Sequence, residues 1–185
     1  SPVTGKYRLG VTCLELGSRF QRSHDIRECA LGPLDALRNE FGETTHLTVL
    51  DGTEVVYLEK LQGLHPIGVM SSYVGGRAPA HCTGVGKALL AYLPDEVLQR
   101  YYAGGKLQRF TASTIVDLDT LRAELAEIRT RGYAIDKEEH ELGVKCVAAP
   151  VFKHNGVAAA MSVSGPIERM EQHIETSGLI EKVQR

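Results

Sequence analysis

Between Gly132 and Cys146 the chain reads GYAIDKEEHELGVKC, a stretch dense in carboxylates with one histidine and one cysteine. Such residues can bind a metal, move a proton or activate a thiol. His140-Glu141 opens the pattern of a helical zinc site, but that site needs a second histidine one turn later. Position 144 is Val. GVGK at 84–87 suggests a phosphate loop, which needs a glycine five residues before its second glycine and Ser or Thr after the lysine. Those positions hold His81 and Ala88. Cys82 and Cys146 could act as nucleophiles with His81 or His140 as base, or join Asp136 and one histidine around a metal. No local spacing supports either, and the plain alternative for each cysteine is a small apolar residue on a strand or at a helix mouth.

The serines of AAAMSVSG, residues 158–165, say more. As a strand this run puts Ser162 and Ser164 on one face with Ala158 and Ala160, and Met161 and Val163 on the other. A wet outer face is the ordinary reading of such serines. Alanines beside them leave room instead of filling it, which describes a polar pocket. A helix beginning at Thr83-Gly84 adds bare N–H groups to that pocket, and a carboxylate is the natural guest of a helix mouth. Gly84 and Gly86 would let it approach closely, unless they merely ease a tight turn.

These residues need a scaffold, and 185 residues suffice to bury a core. The chain is 43% hydrophobic and 24% charged, with a net charge of −2, so it has no basic balance for gripping nucleic acid by itself. No apolar run of membrane-spanning length and no export signal stand out. The four cysteines lack CxxC spacing and suggest reduced thiols. SPVTGKYRLG has no initiator Met and is expected to be the end of a preceding unit.

Leu9, Cys13, Leu16 and Phe20 predict a short helix over residues 11–22. A second is expected from an Asp25 cap to Gly42, with Ile26, Cys29, Ala30, Leu34, Leu37 and Phe41 on one face and Pro33 kinking or dividing it. THLTVL and EVVYLEKL form a hairpin across Asp51-Gly52, and HPIGVM should pair next. Residues 71–82 read as a loop. Thr83 caps a helix toward Tyr92, Pro94 opens another, and Asp117 starts a third ended by Gly132, on which Glu127 and Arg131 can pair. YAID, VKCVAAPVFK and VAAAMSVSG are strands, the last two joined at Asn155-Gly156. The sum is an α+β domain of about six mostly antiparallel strands flanked by helices.

In this order, YRLG and LELG, GETTHLTVLDGTEVVYLEK, PAHCTGVGKALLAYLP, GYAIDKEEHELGVKCVAAPVF and SVSGP resemble the effector-binding domain of IclR-type bacterial transcription regulators, from Tyr7 to Ile167. The resemblance implies a GAF-like fold. It also implies that residues 1–10 are the remnant of a winged helix-turn-helix domain, 11–23 a linker helix and 24–185 the effector-binding domain. By the same resemblance the domain binds a small organic acid, carboxylic or aromatic, and alters operator DNA binding through the missing domain. The protein would be a cytoplasmic homodimer or tetramer, not an enzyme, with no cofactor, no metal and no membrane partner. The residues matching the family's effector contacts are Gly84, Val85, Asp136, Cys146, Ser162 and Ser164, with Met70 and Ile67 closing over the ligand. His81, Glu138, Glu139 and His140 are expected in structural roles. Two other readings remain at this point: a thiol-dependent enzyme on a GAF-like fold, and an oligomerisation module without ligand.

Overall fold

The computed structural model describes residues 7, 9–22, 25–65, 70–104, 107–154 and 156–185. Its centre is a six-stranded sheet in the order β3-β2-β1-β6-β5-β4, antiparallel at every pairing. β1 (Thr44–Asp51) and β2 (Glu54–Leu61) form the first hairpin. Gly52 at its tip takes a φ of 65°, the left-handed conformation that glycine adopts without steric cost. β5 (Val144–Lys153) and β6 (Gly156–Pro166) form the second, and β4 (Ala134–Lys137) lies on the β5 edge. Pairing of β1 with β6 joins the two hairpins into one surface.

The strand beside β2 is β3 (Arg77–Pro79), inside the segment expected to be loop. Of HPIGVM, Pro66–Val69 lie outside the described residues, and Met70 is in no strand. Charge and edge position explain the choice of Arg77–Pro79. The Arg77 guanidinium donates to Asp51 at 2.6 Å and Glu54 at 2.7 Å across the hairpin, and Pro79 sits on an edge strand, where a missing N–H is tolerated.

α2 (Asp25–Phe41), α6 (Ile167–Thr176) and α7 (Leu179–Val183) cover one face of the sheet. Leu34, Leu37 and Phe41 pack there with Leu47, Val147, Val163, Met170 and Leu179. α2 runs unbroken past Pro33. Pro33 and Cys29, whose carbonyl loses its helical partner, both lie on the exposed side, while the buried residues hold the rest of the helix to the sheet. Cys29 therefore does not belong to the apolar face expected for it.

α3 (Gly84–Leu90), α4 (Asp95–Tyr101) and α5 (Leu118–Arg131) cover the other face. Asp117 Oδ1 accepts from Thr120 N–H at 2.8 Å to start α5, and Gly132 ends it in the left-handed conformation. Arg131 pairs with Glu124 at 2.8 Å and not with Glu127, because its Nε is already held by the Tyr133 carbonyl. α1 (Val11–Arg22) forms as expected, but Val11, Leu14, Leu16 and Phe20 stay exposed.

Candidate ligand-binding site

Strand register assembles the site. Asp136 of β4 faces Cys146 of β5, which faces Ser164 of β6. One row along, Ala148 faces Ser162, and Ser162 faces His46 of β1. Residues far apart in sequence thus form two adjacent rows on one face. Most side chains in these rows are small, so they leave a hollow under α3. The cavity has about 70 Å³ open to the centre of a water-sized sphere. One water needs roughly 10–15 Å³ on that measure, so there is room for about five water-sized centres.

The floor is polar and joined. Ser162 Oγ lies 3.3 Å from His46 Nδ1 and 3.5 Å from Ser164 Oγ. His46 Nε2 lies 2.9 Å from Ser72 Oγ, on the segment that covers the cavity with Met70, Ser71 and Tyr73. Lys60 holds that segment by donating to the Ser72 and Met70 carbonyls at 2.6 and 3.3 Å. Tyr57 adds a wall, its ring 5.2 Å from that of His46. Burial, reinforced by the Lys60 charge, pushes the His46 imidazole down to about 3, so the ring is neutral at physiological pH.

At the α3 end, Thr83 Oγ1 accepts from Gly86 N–H at 3.3 Å, while Gly84 and Val85 have no intrahelical acceptor for their N–H groups and both line the cavity. A Cβ on Gly84 would lie 2.9 Å from Cys146 Sγ, whereas one on Gly86 would strike the Ala80 backbone at 2.3 Å. Both glycines therefore permit close packing, Gly86 against Ala80 and Gly84 against the β5 side chains at the edge of the hollow. Asp136, 6% exposed, accepts from Glu139 N–H at 2.7 Å. Burial pushes its carboxyl up to about 7; the Glu139 N–H and Lys87 oppose this, and the Glu139 charge adds to it.

Comparison with known proteins adds to this geometry. A family model described as bacterial transcriptional regulator IclR C-terminal matches residues 19–185. The chain belongs to the IclR family. The HTH-type transcriptional regulator XynR of Escherichia coli K12 is 42% identical over 172 residues, 92% of this chain and 68% of that protein. The Thermotoga maritima IclR crystal structure superposes with a TM-score of 0.81 at 36% identity, covering 95% of this chain and 74% of that one. The PobR inducer-binding domain from Acinetobacter, solved as a double mutant with 3-hydroxybenzoic acid, gives 0.72 at 29% identity, covering 85% and 97%. This chain spans 60–68% of the length of the first curated relatives.

In this IclR C-terminal domain, Met70, Gly84, Val85, Asp136, Cys146, Ser162 and Ser164 all line the one cavity. Ile67 lies outside the described residues. Glu138 accepts from Gly143 N–H within its loop, and His81 contacts the Gln108 carbonyl at 2.9 Å. His140, expected to be structural, also lines the cavity. His46, Tyr57 and Ser72 were not foreseen. The sign was present for His46: in TTHLTVL, residues 44–50, it alternates in phase with Thr44, which pairs with Ser164 on β6.

Lys87 was missed as well. It is 1% exposed and donates to Glu139 and, at 2.8 Å, to the Ile135 carbonyl, tying α3 to β4 and the loop after it. Neither buried thiol is activated. Burial, with the Asp136 charge behind it, pushes Cys146 up to about 11, and burial drives Cys82 well above its ordinary range. Among the described residues, no group of three His, Cys, Asp or Glu is placed to hold a metal, and no helix is long and apolar enough to cross a membrane.

Proposed function

We propose that this domain senses a short-chain keto or hydroxy acid and passes its occupancy to DNA binding by a preceding domain. The observation that carries this reading is convergence: seven residues from a loop, a helix and three strands meet around one small hollow lined with hydroxyls and N–H groups. The carboxylate of the acid accepts from Gly84 and Val85 N–H and from Ser162 and Ser164 hydroxyls. Asp136 meets the hydroxyl or hydrated keto group, Cys146 supplies a soft contact and weak donor, and Met70 closes over the acid. With Ile67, these residues make up the proposed effector site.

Size chooses within the class. A three-carbon acid is the smaller guest and suits this small hollow better than a hydroxybenzoate with its ring. The PobR relative's complex with 3-hydroxybenzoic acid supports an organic acid in this fold, though a ring here needs the covering segment to move. Gly75, with a φ of 82°, makes residues 71–76 the natural moving part. Coupling to DNA is limited to the acid's preference between two arrangements, about 1–3 kcal/mol.

On this reading residues 1–10 end a winged helix-turn-helix domain, 11–23 form a linker and 24–185 form the sensor, in a cytoplasmic homodimer or tetramer. Operator DNA is bound by the preceding domain and not by these residues. The apolar side chains that α1 leaves exposed fit a linker packed elsewhere. Two protonated thiols argue against a thiol enzyme. Calorimetry with pyruvate, lactate and hydroxybenzoates on the wild type and on Ser162→Ala/Ser164→Ala tests the reading. Tighter binding of the three-carbon acids, weakened about tenfold or more in the double variant, supports it. Equal affinity in both proteins removes the serines from the site, and no binding leaves an oligomerisation module.

A further inference from the structure

His46 is 3% exposed and lies between the floor of the cavity and its cover. Across β1–β6 it faces Ser162, and across β1–β2 it faces Lys60. Its two ring nitrogens contact one serine from each side, Ser162 at 3.3 Å and Ser72 at 2.9 Å. A neutral imidazole carries one N–H and one lone pair, so the two serines are engaged in opposite senses. With the proton on Nδ1, His46 donates to Ser162, whose own O–H is then free to donate elsewhere, and Ser72 donates to Nε2. With the proton on Nε2, Ser162 spends its hydrogen on His46 and offers the cavity only lone pairs, while Ser72 accepts.

In this closed arrangement the far end of the relay is held by Lys60, which donates to the Ser72 carbonyl at 2.6 Å. The near end is extended by Ser164, 3.5 Å from Ser162. The charged surroundings matter to an anion: Asp136 and Glu141 line the cavity, and the Arg77 guanidinium is bonded to Asp51 and Glu54. An acid anion must therefore find hydroxyl and N–H donors, and Ser162 is a donor in only one of the two states.

We propose that His46 is a specificity-determining residue of this site, a relay whose tautomer, set through Ser72 on the covering segment, decides whether Ser162 donates or accepts toward the ligand. The proposal rests on the cavity's being the effector site. It assigns the site a preference for a carboxylate over its neutral amide, and it ties that preference to closure of residues 70–76.

The experiment measures the affinities of lactate, pyruvate and lactamide for the 185-residue chain, with nitrogen-15 and carbon-13 spectra of the His46 ring. The expected lactate complex carries the proton on Nδ1. His46→Asn keeps a donor toward Ser162 and retains the lactate-over-lactamide preference. His46→Gln reaches toward Ser72 instead and loses the preference by about tenfold, the scale of one hydrogen bond to a charged group. Ser72→Ala, on the partly exposed covering segment, weakens lactate severalfold more than it weakens lactamide. A proton on Nε2 in the lactate complex, or equal losses in the Asn and Gln variants, overturns the relay while leaving the effector site standing. If neither lactate nor pyruvate binds the wild type, both readings fall together.

Discussion

The two faces of the sheet are made by the same strands and differ in what the alternation delivers. On one side Leu47, Val147, Val163, Met170 and Leu179 fill the space under α2, α6 and α7. On the other, Cys146, Ser162, Ser164 and His46 border a hollow beside α3, while Ala148 and Ala160, the latter expected to leave room, are packed in the core. A filled face gains stability from close packing and shed water. A hollow one gives up part of that gain for polar groups that have room for a guest. The second face is packed as well, with Val55, Leu89, Leu90, Leu121, Leu125 and Ile128 in its core; recognition belongs to the polar end of that face, and the comparison can be broken at a few side chains.

The largest effect should come from the buried ion pair of the hollow face. Lys87→Ala leaves Glu139 and the Ile135 carbonyl without their cation donor, in surroundings where Lys87 itself is 1% exposed. Removing one partner of such a pair costs about 3–5 kcal/mol, to be read as a lower midpoint in urea unfolding. A loss below about 1 kcal/mol would mean that the Lys87–Glu139 pair adds little to stability.

How far this division could be read beforehand depended on the distance over which each signal acts. The Asp51-Gly52 turn, the Asp117 cap, the Gly132 stop and the in-phase pair Ser162 and Ser164 are local, and each stands where its spacing predicted. β3 has only three residues and no period to detect; it exists because Arg77 reaches across to Asp51 and Glu54. Lys87 sits in GVGK, where a lysine suggests phosphate or solvent, and only the tertiary approach of Glu139 makes its burial tolerable. His46 was legible in phase but not in partner, since Ser72 and Ser162 are brought to it from distant parts of the chain.

A second test uses pH on the hollow face. The Asp136 carboxyl stands near 7 in the fold against an ordinary 3.8. A folded pKa raised above its unfolded value means that the native state holds the proton more tightly. Stability is thus lost as pH rises from about 4 to about 7, and the penalty is complete above that. Asp136→Asn keeps an acceptor for Glu139 N–H and removes the titration. Its stability relative to the wild type should be near zero at pH 4 and rise to a few kcal/mol by pH 8. Thermal unfolding across that range checks the sign, and a difference that does not change with pH would place the Asp136 carboxyl in solvent.

The smallest effect belongs to three consecutive positions of β6. Ser162 and Ser164 face the hollow, and Val163 between them is fully buried in the filled face. Val163→Ser removes apolar surface and buries a hydroxyl among Leu37, Met170 and Leu179, costing about 2 kcal/mol. Ser162→Ala and Ser164→Ala shed hydroxyls that meet each other, His46 and the Cys146 thiol, so each should change stability by about 1 kcal/mol. Chemically opposite exchanges one residue apart then separate the two properties: the valine variant loses melting temperature and the serine variants lose ligand. Equal destabilisation at all three positions would mean that the serines hold the sheet together, and that the space beside them is not kept open for a guest.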